Sequence, residues 1–460
     1  MSMERIIYLL AVYSTIVTGL LLSVSVGAKS VDNPIVIKLD KPVYVVPRFT
    51  GKFRQREVSV APDEYEMADR LRTMLDEGNA QAVLDELAQF YDIELSVAMI
   101  VLKAQIYFSL EEYSEAEKTY KAALARQPHL VRAHTDLAQL YMLTDRPLQA
   151  REHFANAVSF GANEAHIHGQ LGYLNITHFG PYAAISAYQQ AMSLEPENKQ
   201  WQQGLLAALS QAGMFESAEA LIVDLLAVNP KDIDLWLNKA AISMQQDDVN
   251  GALEGMEMAL LLGDEDRDNL KSTAQLHLQV GSYSRAVELI KNDLDLHQLN
   301  MSVINEYLTW LQQVNMYSDI ESVLEHIQPR LHELSANDKS IFYYHQGQAF
   351  AADGQDQAAD ETYQQAIDLD PSSGRALLRY ANFLQQEKRY DKAELLYMRA
   401  EGIDVFTKNA LLGKAQLYIE MLDYRAALEA LRQAYARYPE LVGLKDNIEV
   451  IESIIRAKGN

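Results

Sequence analysis

At 460 residues the chain is longer than one hydrophobic core usually serves, so it holds either several domains or an array of repeats. Only 12 Pro and 21 Gly occur, which excludes collagen-like and Pro/Gly-rich disordered classes, and the lack of cysteine excludes disulfides, thiol nucleophiles and thiolate metal sites. The formal net charge of -24 is uneven: Lys29–Arg56 carries seven basic and two acidic residues, about +5, which leaves about -29 from Glu57 onward, a body that would repel a phosphate backbone and so argues against nucleic acid as a ligand.

Residues 1–28 read as a signal peptide or membrane anchor. Ile6 to Val26 is a 21-residue apolar stretch interrupted only by small or weakly polar residues, long enough to span a bilayer. Val26-Gly27-Ala28 supplies the small residues a signal peptidase needs. If uncleaved, residues 6–26 would keep the chain in contact with a membrane. Arg5 is offset by Glu4, and positive charge follows the stretch, so a cytoplasm-facing anchored adaptor stays open.

Residues 29–62 are expected to be an extended basic linker. Ile35-Val36-Ile37 and Val43-Tyr44-Val45-Val46 are β-branched and aromatic runs set between Pro34, Pro42 and Pro47. Arg48, Lys52, Arg54 and Arg56 then alternate with Phe49 and Phe53, a mixture suited either to anionic headgroups or to plain solvation.

From residue 63 a period of 34 residues organises the chain. Ala116, Ala150, Ala184, Ala218, Ala252 and Ala286 are each 34 apart, and Tyr120, Phe154 and Tyr188 follow the first three by four. Pro128, Pro196 and Pro230 close their units. Each unit predicts two short amphipathic helices, neither able to bury its apolar face alone. Small residues let the two approach, the aromatic one turn further on fills the gap to the next unit, and proline ends the second helix. Units start at Val97, Val131, Ala165, Lys199, Ile233, Arg267 and Met301, the last a degenerate one with Ile320 at the alanine position. This first run, 63–334, is followed by a register break at 335–339, where bending is expected. A second run, 340–441, starts units at Ser340, Gly374 and Lys408 and carries Ala359, Ala393 and Ala427. Residues 442–460 predict an amphipathic capping helix with Leu444, Ile448, Ile451 and Ile455 on one face.

This period and residue set resemble the tetratricopeptide repeat (TPR) family over about residues 64–441. The resemblance implies an all-α superhelical solenoid of about ten helix-turn-helix repeats. It also implies that first helices line a concave groove, notably at unit positions 2, 5, 9, 12 and 13. Position 9 reads Gln105, Gln139, Tyr173, Ala207, Ala241, Gln275, Thr309, Gln348, Asn382 and Gln416. A primary amide both donates and accepts, so a ladder of them would hold an extended peptide through its backbone; Gln as an ordinary helix-compatible surface residue is the alternative. The basic residues of a terminal-carboxylate clamp are missing, because Lys271 and Arg379 stand alone.

Catalytic and metal-binding patterns are not found, and neither an enzyme nor a cofactor is expected. There is no phosphate-binding glycine loop, HExxH or GxSxG. His166 and His168 point to different helix faces, and Asp264-Glu265-Asp266-Arg267-Asp268 lacks the glycine and late glutamate of a calcium loop. A solvated acidic turn at a helix start is expected there.

Lys41–Arg48, Trp201–Leu206 and Leu260–Asp264 resemble segments of TPR proteins associated with TonB energy-transduction systems of Gram-negative bacteria. That resemblance implies an envelope scaffold in the periplasm or on the periplasmic face of the inner membrane, with TonB or ExbB/ExbD-type subunits as partners. A scaffold for cytochrome, pilus, cell-wall or lipopolysaccharide assembly is the alternative.

Overall fold

The computed structural model describes Ile37, Leu39, Lys41 and residues 58–458. Residues 1–28 and most of 29–57 lie outside the described residues, and with them the expected leader and linker. Among the described residues there are 23 α-helices and no strand, and no helix is long and apolar enough to cross a membrane.

The chain forms two compact units, one of Pro34–Leu262 and one holding Gly263–Asn460. The first opens with α1 (Tyr65–Asp76) and α2 (Ala80–Leu87). Five helix pairs follow: α3 (Val97–Ser109) with α4 (Tyr113–Arg126), α5 (Val131–Leu143) with α6 (Pro147–Ser159), α7 (Ala165–His178) with α8 (Pro181–Leu194), α9 (Lys199–Gln211) with α10 (Phe215–Val228), and α11 (Ile233–Gln245) with α12 (Val249–Leu261). The second unit pairs α13 (Arg267–Gln279) with α14 (Tyr283–Leu296), α15 (Met301–Gln313) with α16 (Tyr317–Ile327) and α17 (Ala336–Ala352) with α18 (Asp356–Leu369). It continues with α19 (Gly374–Gln386) and α20 (Tyr390–Glu401), then α21 (Thr407–Glu420) and α22 (Tyr424–Arg437), and ends on α23 (Leu444–Lys458).

The residue pattern accounts for these helices. Ala116, Ala150, Ala184, Ala218, Ala252, Ala286, Ala359, Ala393 and Ala427 are all fully buried, as is Ile320 in the repeat that lacks the alanine. From α4 on, every second helix begins at unit position 17, and in two repeats that residue is Pro147 or Pro181, where the missing N–H is harmless. The aromatic positions close the seams. A Cβ on Gly172 would lie 3.0 Å from the Tyr188 ring and one on Gly204 would lie 2.3 Å from it, so two glycines of successive repeats hold that ring.

Unit position 15 sets the turn inside the repeat. Glu111, Asp145, Asp247, Asn315, Lys388 and Leu422 all have φ between 55° and 63°, and Gly213, Gly281 and Gly354 take the same left-handed conformation. In the first of these turns the Glu112 N–H reaches back to the Tyr107 carbonyl at 2.9 Å, a Schellman closure that turns the chain into the second helix.

Residues 336–339, within the register break, are helical. Ser335 caps α17 through Asp338 N, and residues 336–339 are the first turn of that helix, which runs 17 residues where the first helices of the other repeats from α3 on run 13 or 14. The inserted residues are absorbed by a longer helix and by a 3₁₀ stretch at Gln328–Glu333. Buried His345 on α17 bonds Asn305 Oδ1 on α15 at 2.8 Å, so the repeats on either side of 335–339 are packed together.

Candidate peptide-binding face

All seven residues expected in the groove lie on first helices: Gln105 on α3, Gln139 on α5, Tyr173 on α7, Gln275 on α13, Gln348 on α17, Asn382 on α19 and Gln416 on α21. They do not share one environment. Gln105, Gln139 and Gln348 are 4%, 1% and 6% exposed, whereas the other four are half-buried.

Two of the buried amides bond within the array. Gln105 Nε2 donates to Asp136 Oδ2 at 2.8 Å, and the Tyr120 hydroxyl donates to the same oxygen at 3.1 Å. Gln139 Nε2 donates to Gln170 Oε1, and Gln170 Nε2 donates back to Gln139 Oε1 at 3.3 Å. Each partner lies 31 residues on, at position 6 of the next repeat. At these two positions the amide joins one repeat to the next. The sequence signal was a polar residue at position 6, Asp136 or Gln170, beneath a glutamine at position 9. Gln348 Nε2 donates to the Tyr344 hydroxyl one turn earlier at 3.1 Å.

The half-buried members keep a polar surface. Gln416 Nε2 donates to Glu420 Oε1 at 2.9 Å, and Asn382 Oδ1 accepts from Gln386 Nε2 at 3.0 Å. Lys271, which stands alone in sequence, is paired with Glu306 at 2.7 Å, so its charge is already met.

Other charged clusters are structural. Glu117 sits between Arg146 at 2.7 Å and Lys121 at 2.6 Å and accepts from the Tyr141 hydroxyl at 3.0 Å. Burial alone would raise its pKa, but these hydrogen bonds hold it at about 2. Asp293 is fully buried and receives Arg267 Nε at 3.0 Å and the Tyr307 hydroxyl at 3.0 Å. Asp266 caps α13 through Asp268 N at 2.9 Å, so the acidic run serves a helix start. A cavity of about 520 Å³ lies near Glu64 and Arg126, whose charged groups bond the Ser96 N–H and the Leu95 carbonyl. No group of three His, Cys, Asp or Glu side chains able to hold a metal occurs among the described residues.

One contact had no counterpart in the sequence reading. Gln200, at position 2 of its repeat on α9, donates through Nε2 to the main-chain carbonyl of Lys41 at 3.1 Å. Ile37 and Leu39 are half-buried against the cluster that contains Ala165, Trp201 and Leu205.

Comparison with known proteins gives matches of the same kind along the chain. Family models described as tetratricopeptide repeat match residues 107–171, 182–242 and 338–404. A TPR repeat-containing protein of Treponema pallidum (strain Nichols) is 23% identical over 365 residues, covering 76% of this chain and 40% of that protein. Protein O-mannosyl-transferase TMTC3 of Homo sapiens is 22% identical over 181 residues, covering 38% of this chain and 20% of that protein. The chain thus spans less than half the length of either relative. Among solved structures, that of Naa15/Naa10 bound to HypK-THB is 14% identical, covers 80% of this chain and 68% of that chain, and superposes with a TM-score of 0.41. The family matches and the helix pairs recurring every 34 residues together make this chain an all-α array of tetratricopeptide repeats.

Proposed function

We propose that this protein is a non-catalytic scaffold that binds segments of other proteins on the first-helix faces of its repeats. The observation that carries this reading is a division of labour within the repeat. The alanine and aromatic positions are buried in the seams, while Tyr173, Gln275, Asn382 and Gln416 recur at one first-helix position and remain half-buried. Half-exposed amide and phenol groups on a rigid helix can meet both the backbone and the side chains of an incoming segment. A photo-crosslinking residue placed at 173, 275 or 416 of the full chain should capture a partner protein in cells. The same residue at Lys118, exposed on α4, should not. Equal capture at all four positions, or none, overturns the proposal.

The finer reading is an envelope scaffold on the periplasmic side, an accessory of a TonB-type iron-uptake system. It is supported by the apolar stretch at residues 6–26 and by the resemblance of Lys41–Arg48, Trp201–Leu206 and Leu260–Asp264. Crosslinked pull-down from iron-starved envelope membranes should enrich TonB or ExbB/ExbD-type subunits over an unrelated TPR control. Recovery of another envelope complex in their place rejects the TonB role and leaves the scaffold.

A further inference from the structure

Gln200 is a first-helix residue whose amide bonds main chain from a segment 159 residues earlier. A main-chain carbonyl is the acceptor that any peptide supplies, whatever its side chains. Two residues and four residues before Lys41, Leu39 and Ile37 pack against the cluster around Trp201 and Leu205. Residues two apart share a face in extended backbone and not in a helix. The contact therefore combines the two parts of extended-peptide recognition, a hydrogen bond to backbone and apolar packing of alternate side chains. Charge favours it as well, since Lys29–Arg56 carries about +5 and the chain from Glu57 onward about -29.

We infer that Ile37, Leu39 and the main chain of Lys41 are a built-in occupant of an extended-peptide site on α9 around Gln200 and Trp201. An outside segment of the same chemistry, extended and with aliphatic side chains two residues apart, enters only by displacing them. This rests on the proposed role in binding protein segments and adds to it a sequence preference and a gate. A tethered occupant acts at an effective concentration of about millimolar, so an outside peptide of equal intrinsic affinity binds weakly until the tether lets go.

The test uses the full chain and a fluorescent peptide with the sequence of residues 34–47. Anisotropy titrations compare the unaltered protein with an Ile37→Asp/Leu39→Asp variant, whose melting curve reports that the repeats remain folded. The variant is expected to bind the peptide at least about tenfold more tightly than the unaltered protein. Adding Gln200→Ala to the variant should weaken that binding about fivefold. Equal affinity for the two proteins overturns occupancy by Ile37, Leu39 and Lys41, and no binding by either overturns the site on α9. Crosslinking from positions 275 and 416 lies on other repeats and would survive both results, so failure of this inference and failure of the scaffold role are separable.

Discussion

His134 and His153, on the two helices of one repeat, face each other Nδ1 to Nδ1 at 2.8 Å, while His134 Nε2 lies 3.0 Å from the carbonyl oxygen of Pro128. A carbonyl only accepts, so His134 presents Nε2–H to Pro128, and a single proton lies between the two facing Nδ1 atoms. Burial, then the neighbouring His134 and Lys121, hold His153 down at about 4, below its ordinary 6.5.

Acid should therefore loosen this repeat. Between pH 6.5 and about 4 the unfolded chain takes up a proton at residue 153 that the folded chain refuses, so stability present above pH 6.5 falls as pH drops through that window. His153→Gln keeps a donor for His134 but does not titrate. Its stability should decline less on acidification, by on the order of 1–2 kcal/mol after discounting for partial solvent screening. Urea melts at pH 7 and pH 4 measure the difference; parallel declines in both proteins would reject the assignment.

The Tyr188 seam gives a packing prediction. Gly204→Ala places a Cβ 2.3 Å from a ring that is itself buried, so the two repeats must part. The expected loss is about 1–3 kcal/mol. Gly402→Ala meets only the Arg399 carbonyl at 3.5 Å and should be neutral within about 0.5 kcal/mol. Thermal unfolding of both variants checks the contrast.

Leu422 occupies the position-15 turn with φ 62° and a largely exposed side chain. Leu422→Gly relieves the left-handed strain while giving up little packing, and should stabilise by about 0.5–1 kcal/mol. The reverse change, Gly213→Ala at φ 71°, should destabilise by about 1 kcal/mol. If both changes move the urea midpoint in the same direction, strain at position 15 is not what sets these turns.

Asp293 anchors a buried polar cluster. Asp293→Ala leaves the Arg267 guanidinium and the Tyr307 hydroxyl without the acceptor they now share, and the expected cost is about 3 kcal/mol. Asp293→Asn keeps an acceptor oxygen and should lose less. Equal losses for the two substitutions would show that side-chain volume, not hydrogen bonding, is what matters there.

How much of this could be read from the residues depended on how far apart the interacting partners lie. The starts of the first helices at Val97, Val131, Ala165, Lys199, Ile233, Arg267 and Met301 fall where the 34-residue pattern begins its units. That pattern repeats alanine, aromatic and proline within one unit, so periodicity alone exposes it. The turn at position 15 was less visible, because Glu111, Lys388 and Leu422 are not residues that favour a positive φ. Only the backbone geometry between the two helices shows that each must adopt a positive φ.

The sequence by itself determined the repeat, its helix pairs and the residues that seal each seam, since these follow from hydrophobic spacing along the chain. Tertiary structure alone decided which polar residues of that repeat remain available. Gln105 and Gln416 occupy the same repeat position, yet the first is buried against Asp136 and the second is half-exposed beside Glu420. At position 6 of the following repeat Asp136 supplies the acceptor for Gln105 and Gln170 the acceptor for Gln139, whereas Gln416 bonds Glu420 one turn further along its own helix. A buried amide takes whatever partner the neighbouring helix supplies, because leaving it unbonded costs about 1–3 kcal/mol.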